Sequence, residues 1–536
     1  MNRKRFGARA LAVAAACTLA LSACGGSGGA SSTSKSPAPT AAPSPTDKLL
    51  TGGDIKAAVA YETNNYHPSS TSSALAQGAN WHVVEGLYEL DMHTYKPYKA
   101  LAATDDPVKV SDTQYEVKLR DGAKFSDGKP VTADDVVASF QRSMKEGNIY
   151  LPMLSFIKDV QKKDDTTVSI NLNYPFSLVK ARLSLVKIVP AAASDEALTS
   201  KPIGTGPWAY EAIDSTHIAF APNPNYNGSK PAKAKHMEWK ILKDDTARVT
   251  AMQQKTVSVM ESVPAESADL LKSAGAQITE VQGFNLPFLM FNTKKAPFDN
   301  PKVRQALFYA VNTEKLIDLG TSGTATAASS FLPETHPNYH KASTVYKYDP
   351  EKAKKLLKEA GVKNLHLTLL TTDHTWITKL SPQIVEDLKA VGVTVELKAL
   401  ASSSLYKDYT DVDNPNFDMV LAPGDPSVFG NDPDLLMNWW YGDNSWTQKR
   451  TQWKDSEGYK KLHAALDKAV RATGDEQQKA WNEAYDIVAK EAPLYPLFHR
   501  KVVTAYYPKK VSAYAPISTT GIDFVGAGAG SESGAK

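Results

Sequence analysis

Residues 115–142 read YEVKLRDGAKFSDGKPVTADDVVASFQR, and the parsing of this stretch decides what kind of protein the chain is. Gly122, Gly128 and Lys129 suggest a phosphate-binding loop, which needs four residues between its first Gly and the Gly-Lys pair, then a Ser or Thr to reach the metal. Here five residues, Ala123 to Asp127, intervene and Pro130 follows Lys129, so spacing and hydroxyl are both wrong. The local pattern is structural instead. Tyr115, Val117 and Leu119 alternate onto one face of a strand. Asp121-Gly122 and Asp127-Gly128 are tight-turn signals on either side of a short strand, AKFS. Thr132 caps a helix, Asp135 completes a capping-box-like pair, and Val136, Val137 and Phe140 form its buried stripe.

Outward from it, IKAAVAYE from Ile55 is strand-like, TTVSINLNY from Thr166 and HMEWKIL from His236 alternate again, and HIAFAPNPNYNG from His217 pairs a strand with a turn, which makes the middle of the chain rich in antiparallel sheet. After Asn300 the period changes. Asn300 is a cap, Pro301 takes the first helical position, and Val303, Leu307, Ala310 and Val311 follow at helical spacing. Helices DPEKAKKLLKEAGV, capped at its start by Asp349 and ended by Gly361, and SPQIVEDLKAVGV then alternate with strands LHLTLL, TVELKAL and FDMVLA, the pattern of a layered α/β lobe. With 536 residues and a normal apolar fraction, the chain is long enough for two or more lobes with separate cores.

At the start, Arg3, Lys4, Arg5 and Arg9 precede the apolar run ALAVAAACTLALSA, too short to span a bilayer and stay, which reads as a secretory signal over residues 1–23. It stops at LSAC, and LSAC resembles a lipobox, so Cys24 is the expected lipidation site and first mature residue. Cys17, the other of the 2 Cys, would be removed, leaving no internal disulfide. Residues 24–53 read as the lipidated Cys and a flexible Gly/Ser/Ala/Pro tether spanning roughly 25 Å. Without the four N-terminal charges, 57 basic face 58 acidic residues, which argues against a nucleic-acid partner. No HExxH, GxSxG, GxGxxG or paired CxxC occurs and the 11 His are scattered, so no catalytic residue, metal site or cofactor is assigned.

The opening stretch resembles the signature segment of extracellular solute-binding family 5, the oligopeptide-, dipeptide- and nickel-binding lipoproteins of ABC importers. Five further blocks follow in the family's order: VEGLYELD from Val84, PIGTGPW from Pro202, LMFNTKKAPFDNPKVRQALFYAV from Leu289, YDPEKAKKLLKEAG from Tyr348 and EAPLYPLFHR from Glu491. The resemblance implies an α/β, two-lobed periplasmic-binding-protein-like clam-shell (type II, cluster C-like) with an extra inserted subdomain. Mapped here, lobe I comprises residues 54–90, 204–290 and 490–525, the insert 91–203 and lobe II 291–489, with 526–536 a disordered tail. It also implies a non-enzymatic monomer that captures peptides between its lobes and delivers them to ABC permease and ATPase subunits, held by lipid at the outer face of the cytoplasmic membrane. An oligosaccharide receptor of the same fold is the alternative reading; a secreted peptidase and a nickel-complex receptor rank below both.

The ligand site is expected in FDMVLAPGDPSVFGNDPDLLMNWWYGDNSW, residues 417–446. In peptide-binding relatives the equivalent strand end carries an Asp that pairs with the peptide's ammonium group inside a Trp-x-x-Asp pattern. Asp425, after Gly424, fits that position, while Ala422 stands at the Trp position. Two roles stay open for Asp425: ammonium partner and turn-former before Pro426. Trp439, Trp440 and Trp446 read as a stacking wall or as lobe core, with at least one of the adjacent pair in the core. Tyr66 and His67, in the loop after the first strand, are candidates from lobe I.

Overall fold

A computed structural model describes residues 49–530. Two large sheets organise them. The first runs in the order Gln277–Gln282, Phe498–Tyr506, Val259–Met260, Asp54–Val59, His236–Ile241, His217–Pro222, Trp208–Ile213, with Ala325–Ala327 pairing onto Phe498–Tyr506. Its central strand DIKAAV is covered on both faces, which is why it reads as nearly continuous apolar sequence. Ile55, Ala57 and Val59 pack with Trp208 and Trp239. Ala58 faces the other way, into a cluster with Met252 and Val503.

The second sheet has the order Thr394–Leu400, His366–Thr372, Met419–Gly424, Leu286–Phe291, Leu494–Pro496. His366–Thr372 is parallel to both neighbours and Leu286–Phe291 antiparallel to both of its own. The helices around it start as the sequence indicates. Asn300 Oδ1 accepts from the Lys302 N–H at 3.0 Å ahead of Pro301–Ala310, and Asp349 Oδ1 from the Lys352 N–H at 2.9 Å ahead of Pro350–Glu359.

A third, four-stranded antiparallel sheet contains Val108–Ser111, Gln114–Lys118, Thr167–Leu172 and Ile157–Lys162. The opening stretch belongs to it. Gln114–Lys118 pairs with Thr167–Leu172, and helix Ala133–Ser143 is fixed by Asp135 Oδ2, which accepts from the Thr132 N–H at 2.9 Å and the Thr132 hydroxyl at 2.8 Å. AKFS is not a strand: it makes a single bridge, Lys124 to Pro130, because the flanking Asp-Gly turns leave no room for a ladder. Arg182 couples this region to the helix Pro433–Tyr441 through Asp432 and Asp434.

Besides the short strand Ala325–Ala327, which reaches across to the first sheet, the chain passes between the large sheets at two adjacent places. Residues 283–285 separate Gln277–Gln282 from Leu286–Phe291, and Leu497 alone separates Leu494–Pro496 from Phe498–Tyr506. The passages are stitched together, the Arg500 N–H donating to the Asn285 carbonyl at 2.7 Å and the Leu497 N–H to the Pro287 carbonyl at 3.0 Å. They fall at 283–285 and 497, which corrects the boundaries at 290 and 490; LPFLMF lies wholly beyond the first passage, and the run LYPLFHR shows no break in hydrophobicity where it changes sheet. A Cβ on Gly283 would lie 1.6 Å from the Ser518 carbonyl oxygen, so only glycine fits the first passage. In the PIGTGPW block, likewise, a Cβ on Gly204 would lie 2.1 Å from the Val83 carbonyl oxygen.

Both ends of the folded body differ from the sequence expectation. Residues 49–53, assigned to the tether, are held: the Leu50 N–H donates to Ser512 Oγ at 2.8 Å and the Gly53 N–H to the Ala529 carbonyl at 3.1 Å. Residues 526–530, assigned to the tail, include the short strand Gly528–Ala529 paired with Val511–Ser512, and Ala527 and Ala529 are buried. Small side chains let this strand lie close against Leu50, which a low-complexity composition conceals. The signal segment, Cys24 and the remainder of the tail lie outside the described residues.

Candidate ligand cavity between the lobes

A cavity of about 1120 Å³ opens between the two large sheets, slightly above the roughly 300–1,000 Å³ range of small-molecule sites. One wall comes from the segment after the first strand, Ala60 to Asn65, with Thr71 to Ala74 and Ser262 to Glu266. The opposite wall comes from Asp373 to Trp376, Pro423 to Asp425, Phe429, Trp439, Trp440, Trp446 and Arg450, and Asn285 and Arg500 lie on the passages between. No residue of 91–203 lines it, so the segment that carries the resemblance is remote from the cavity.

Gly424, Asp425, Trp439, Trp440 and Trp446 are brought together here. Trp439 and Trp440 are adjacent on helix Pro433–Tyr441, yet both are buried and both reach the wall. Trp439 stacks on Phe429 at 4.4 Å, while Trp440 meets Phe288 edge-on at 5.6 Å. Each therefore serves core and cavity at once, and the two alternatives read for the tryptophans were not exclusive. Trp446 lies under the Arg450 guanidinium at 4.1 Å.

Tyr66 and His67 are not brought to the cavity. Tyr66 is 2% exposed and packs edge-on against Tyr210 at 6.0 Å. His67 Nδ1 accepts from the Ser69 N–H at 3.1 Å and Nε2 faces Asp195 at 3.4 Å. The chain turns inward at these two residues, so their neighbours Asn64, Asn65 and Thr71 form the wall instead.

Asp425 is engaged by the protein itself. Its Oδ2 accepts from the Thr520 N–H at 2.7 Å, the Thr520 hydroxyl at 2.8 Å and the Thr519 hydroxyl at 3.1 Å, and its Oδ1 faces the Ser427 hydroxyl. Burial pushes its pKa up and these donors oppose the shift. Strand Met419–Gly424 is paired with Leu286–Phe291 along its full length, but with His366–Thr372 only as far as Leu421. Ala422, Pro423 and Gly424 thus have one edge without a strand partner, and Pro423 and Gly424 line the cavity.

Gly424 is a close approach. A Cβ there would lie 2.4 Å from Trp440 Cζ2 and 3.3 Å from Phe288 Cε1. Gly424→Ala is therefore expected to displace the Trp440 ring at about 1–3 kcal/mol of stability, read by chemical denaturation together with a change in tryptophan fluorescence. An unchanged midpoint and spectrum would show that the ring yields freely.

The charges along the cavity are mostly spoken for. Lys243 meets Glu62 at 2.8 Å, Lys379 meets Glu266 at 2.9 Å, Arg450 meets Asp411 at 2.7 Å and Arg248 meets Asp245 at 2.5 Å. Lys379 and Glu266 come from opposite walls, so their pair bridges the cavity. Arg500 lies with its guanidinium 4.2 Å above the Trp376 ring, and among the described residues no carboxylate comes within ion-pair distance of it. Sequence reasoning missed Arg500, Trp376 and Asn285, which lie far apart in the chain and carry no motif; EAPLYPLFHR, which ends on Arg500, marked the family and not a ligand contact.

Two sheet-based lobes joined by adjacent passages, with a mixed polar and aromatic cavity between them, define a bilobed solute-binding protein. Residues 96–448 match the family described as Bacterial extracellular solute-binding proteins, family 5 Middle. The chain belongs to this family, whose members are binding proteins. It is 27% identical over 493 residues to the glutathione-binding protein GsiB of Salmonella typhimurium, covering 89% of this chain and 94% of that protein. It is 30% identical over 430 residues to heme-binding protein A of Haemophilus influenzae, covering 72% and 76%. Its fold matches the periplasmic binding protein DppA of Helicobacter pylori in complex with peptide STSA, with a TM-score of 0.80, 22% identity, and coverage of 90% of this chain and 99% of that one.

Proposed function

We propose that the chain is the substrate-binding lipoprotein of an ABC importer, that it captures peptide-type solutes in the cavity, and that closure of its lobes presents them to a membrane permease. The observation that carries this reading is the unpaired edge at Ala422–Gly424 on the cavity wall. An extended peptide is recognised by exactly such strand-edge backbone groups, with side chains left to surrounding pockets. Asp425, Trp439, Trp440 and Trp446 would serve as the polar and aromatic floor. The lobes of 54–90 with 204–282 and 498–525, and of 286–496, would move about the two passages. Lipidation of Cys24 would hold the receptor at the outer face of the cytoplasmic membrane, and the LSAC sequence supports that assignment. An oligosaccharide receptor is less well supported, because Trp439 and Trp440 are buried by protein and present little open face for a sugar ring.

Thermal denaturation of the purified protein against a di- to hexapeptide library tests the proposal. A binding peptide at 100 times its Kd is expected to add about 2.7 kcal/mol of stability. Folded protein that responds to no peptide in the library would exclude the peptide reading.

A further inference from the structure

Two groups on the passages between the lobes have hydrogen-bonding or charge capacity that the protein leaves unused. The first is Arg500. Each of the four cavity cations set out above has a carboxylate within 2.9 Å. Arg500 instead rests half-buried on Trp376, with the Tyr61 hydroxyl nearby. Withdrawing a cation from water without an acid is costly, and stacking on an indole face offsets only part of that cost. A planar guanidinium whose centre lies over a ring keeps N–H groups at its edge, the groups that take a carboxylate by two parallel bonds.

The second group is Asn285, 5% exposed and on the cavity wall. Its orientation is fixed by a chain of bonds. The Thr520 hydroxyl donates to Asp425 Oδ2 at 2.8 Å, so its oxygen can only accept from Asn285, whose Nδ2 lies 2.7 Å away. That leaves Asn285 Oδ1 buried with no donor among the described residues. A buried amide oxygen without a partner is uncommon and marks a place where a donor belongs. Asn285 and Arg500 are also neighbours, joined by the 2.7 Å backbone bond between the two passages.

The geometry points to a subsite that reads a carboxylate and its neighbouring amide, in which Arg500 takes a solute carboxylate, Asn285 Oδ1 takes an adjacent N–H, and Asp425 acts through Thr520 to aim Asn285. In a peptide these two groups belong to the C-terminal residue, which has its carboxylate one carbon from its amide N–H. This assignment rests on the peptide-receptor reading and specifies which end of the peptide is held. Asp425 becomes a positioning residue, its carboxylate already occupied by four protein donors.

The test is calorimetric titration of the full chain with the di- to hexapeptide library in paired free-acid and C-terminally amidated forms. Wild-type protein is expected to bind free acids about 10–100-fold more tightly than amides, the fold-change of one charge-assisted contact. Arg500→Gln should abolish that preference, Arg500→Lys should keep part of it, and neither should lower the ligand-free melting temperature, because no protein acid is left unpaired. Asn285→Ala should weaken acids and amides equally, by about 2–10-fold. Equal binding of acid and amide by the wild type, or an acid preference that survives in Arg500→Gln, would overturn the carboxylate assignment and leave the peptide reading intact. Unchanged affinity in Asn285→Ala would overturn the acceptor role. Failure of every peptide in both forms would overturn the peptide reading and this subsite together.

Discussion

Arg182→Leu is expected to destabilise the protein by about 3–5 kcal/mol, the range for removing one partner of a buried ion pair. Arg182 is 1% exposed; its Nη1 donates to Asp434 Oδ2 at 3.0 Å and the Met153 carbonyl at 2.7 Å, and its Nη2 to Asp432 Oδ1 at 2.7 Å. Leucine would leave two carboxylates and a carbonyl without their donor. Burial already pushes the Asp434 carboxyl up to about 6, against the pull of Arg182. Chemical denaturation reads the loss, and a second variant identifies its cause. In the Arg182→Leu background, Asp434→Asn removes one stranded charge and should recover part of the stability. If the double variant is as unstable as the sum of the single ones, lost packing and not the stranded charge dominates.

Acidification should expose two buried histidines. His336 and His499 are both lowered to about 4, chiefly by burial, and His336 is further held neutral at Nδ1. His336 Nε2 donates to the Asn431 carbonyl at 2.7 Å while Nδ1 accepts from the Asn338 N–H at 3.0 Å, so a proton on Nδ1 would set donor against donor. His499 Nε2 donates to the Phe331 carbonyl at 3.0 Å. Their folded pKa lies below the ordinary 6.5, so the unfolded chain takes up protons that the folded one refuses. The stability at stake is present above pH 6.5 and lost as pH falls toward 4, roughly 3 kcal/mol for each residue. Asp434, raised by its burial, works in the opposite direction, so the measurement is a difference. Between pH 6.5 and 4, wild type should lose roughly 3 kcal/mol more than His336→Gln, and roughly 3 more than His499→Gln. Parallel pH profiles of wild type and variants would sink the prediction.

Local rules carried the sequence reading as far as local rules reach. Asn300, Asp349 and the Thr132–Asp135 pair announced helix starts, because a cap is a contact between residues two or three apart. Alternation revealed His236–Ile241 of the first sheet and Gln114–Lys118 and Thr167–Leu172 of the third, and the aromatic stretch near Trp440 led to the cavity. What stayed hidden depends on residues brought together from distant parts of the chain. Arg182 and Asp432 are 250 positions apart, and Thr520 meets Asp425 across 95. Tyr66 and His67 were placed one turn of chain too far into the loop, since nothing local distinguishes a polar residue facing the cavity from one packed behind its wall. Arg500 carries the sharpest version of this problem. Its importance lies in the missing acid, and the absence of a neighbour in space leaves no trace in a linear string.

The single-residue passage at Leu497 has a bearing on how such a receptor can evolve. Side chains along a strand alternate faces with a period of two. A one-residue insertion or deletion at 497 would exchange the faces of everything from Phe498 to Tyr506, turning Val503 and Ala505 out of their core and Arg500 away from Trp376. Loops elsewhere can lengthen by small steps, but this joint admits length changes only in even numbers. It acts as a parity lock, protecting the relation between binding site and framework while the surrounding specificity residues remain free to diverge.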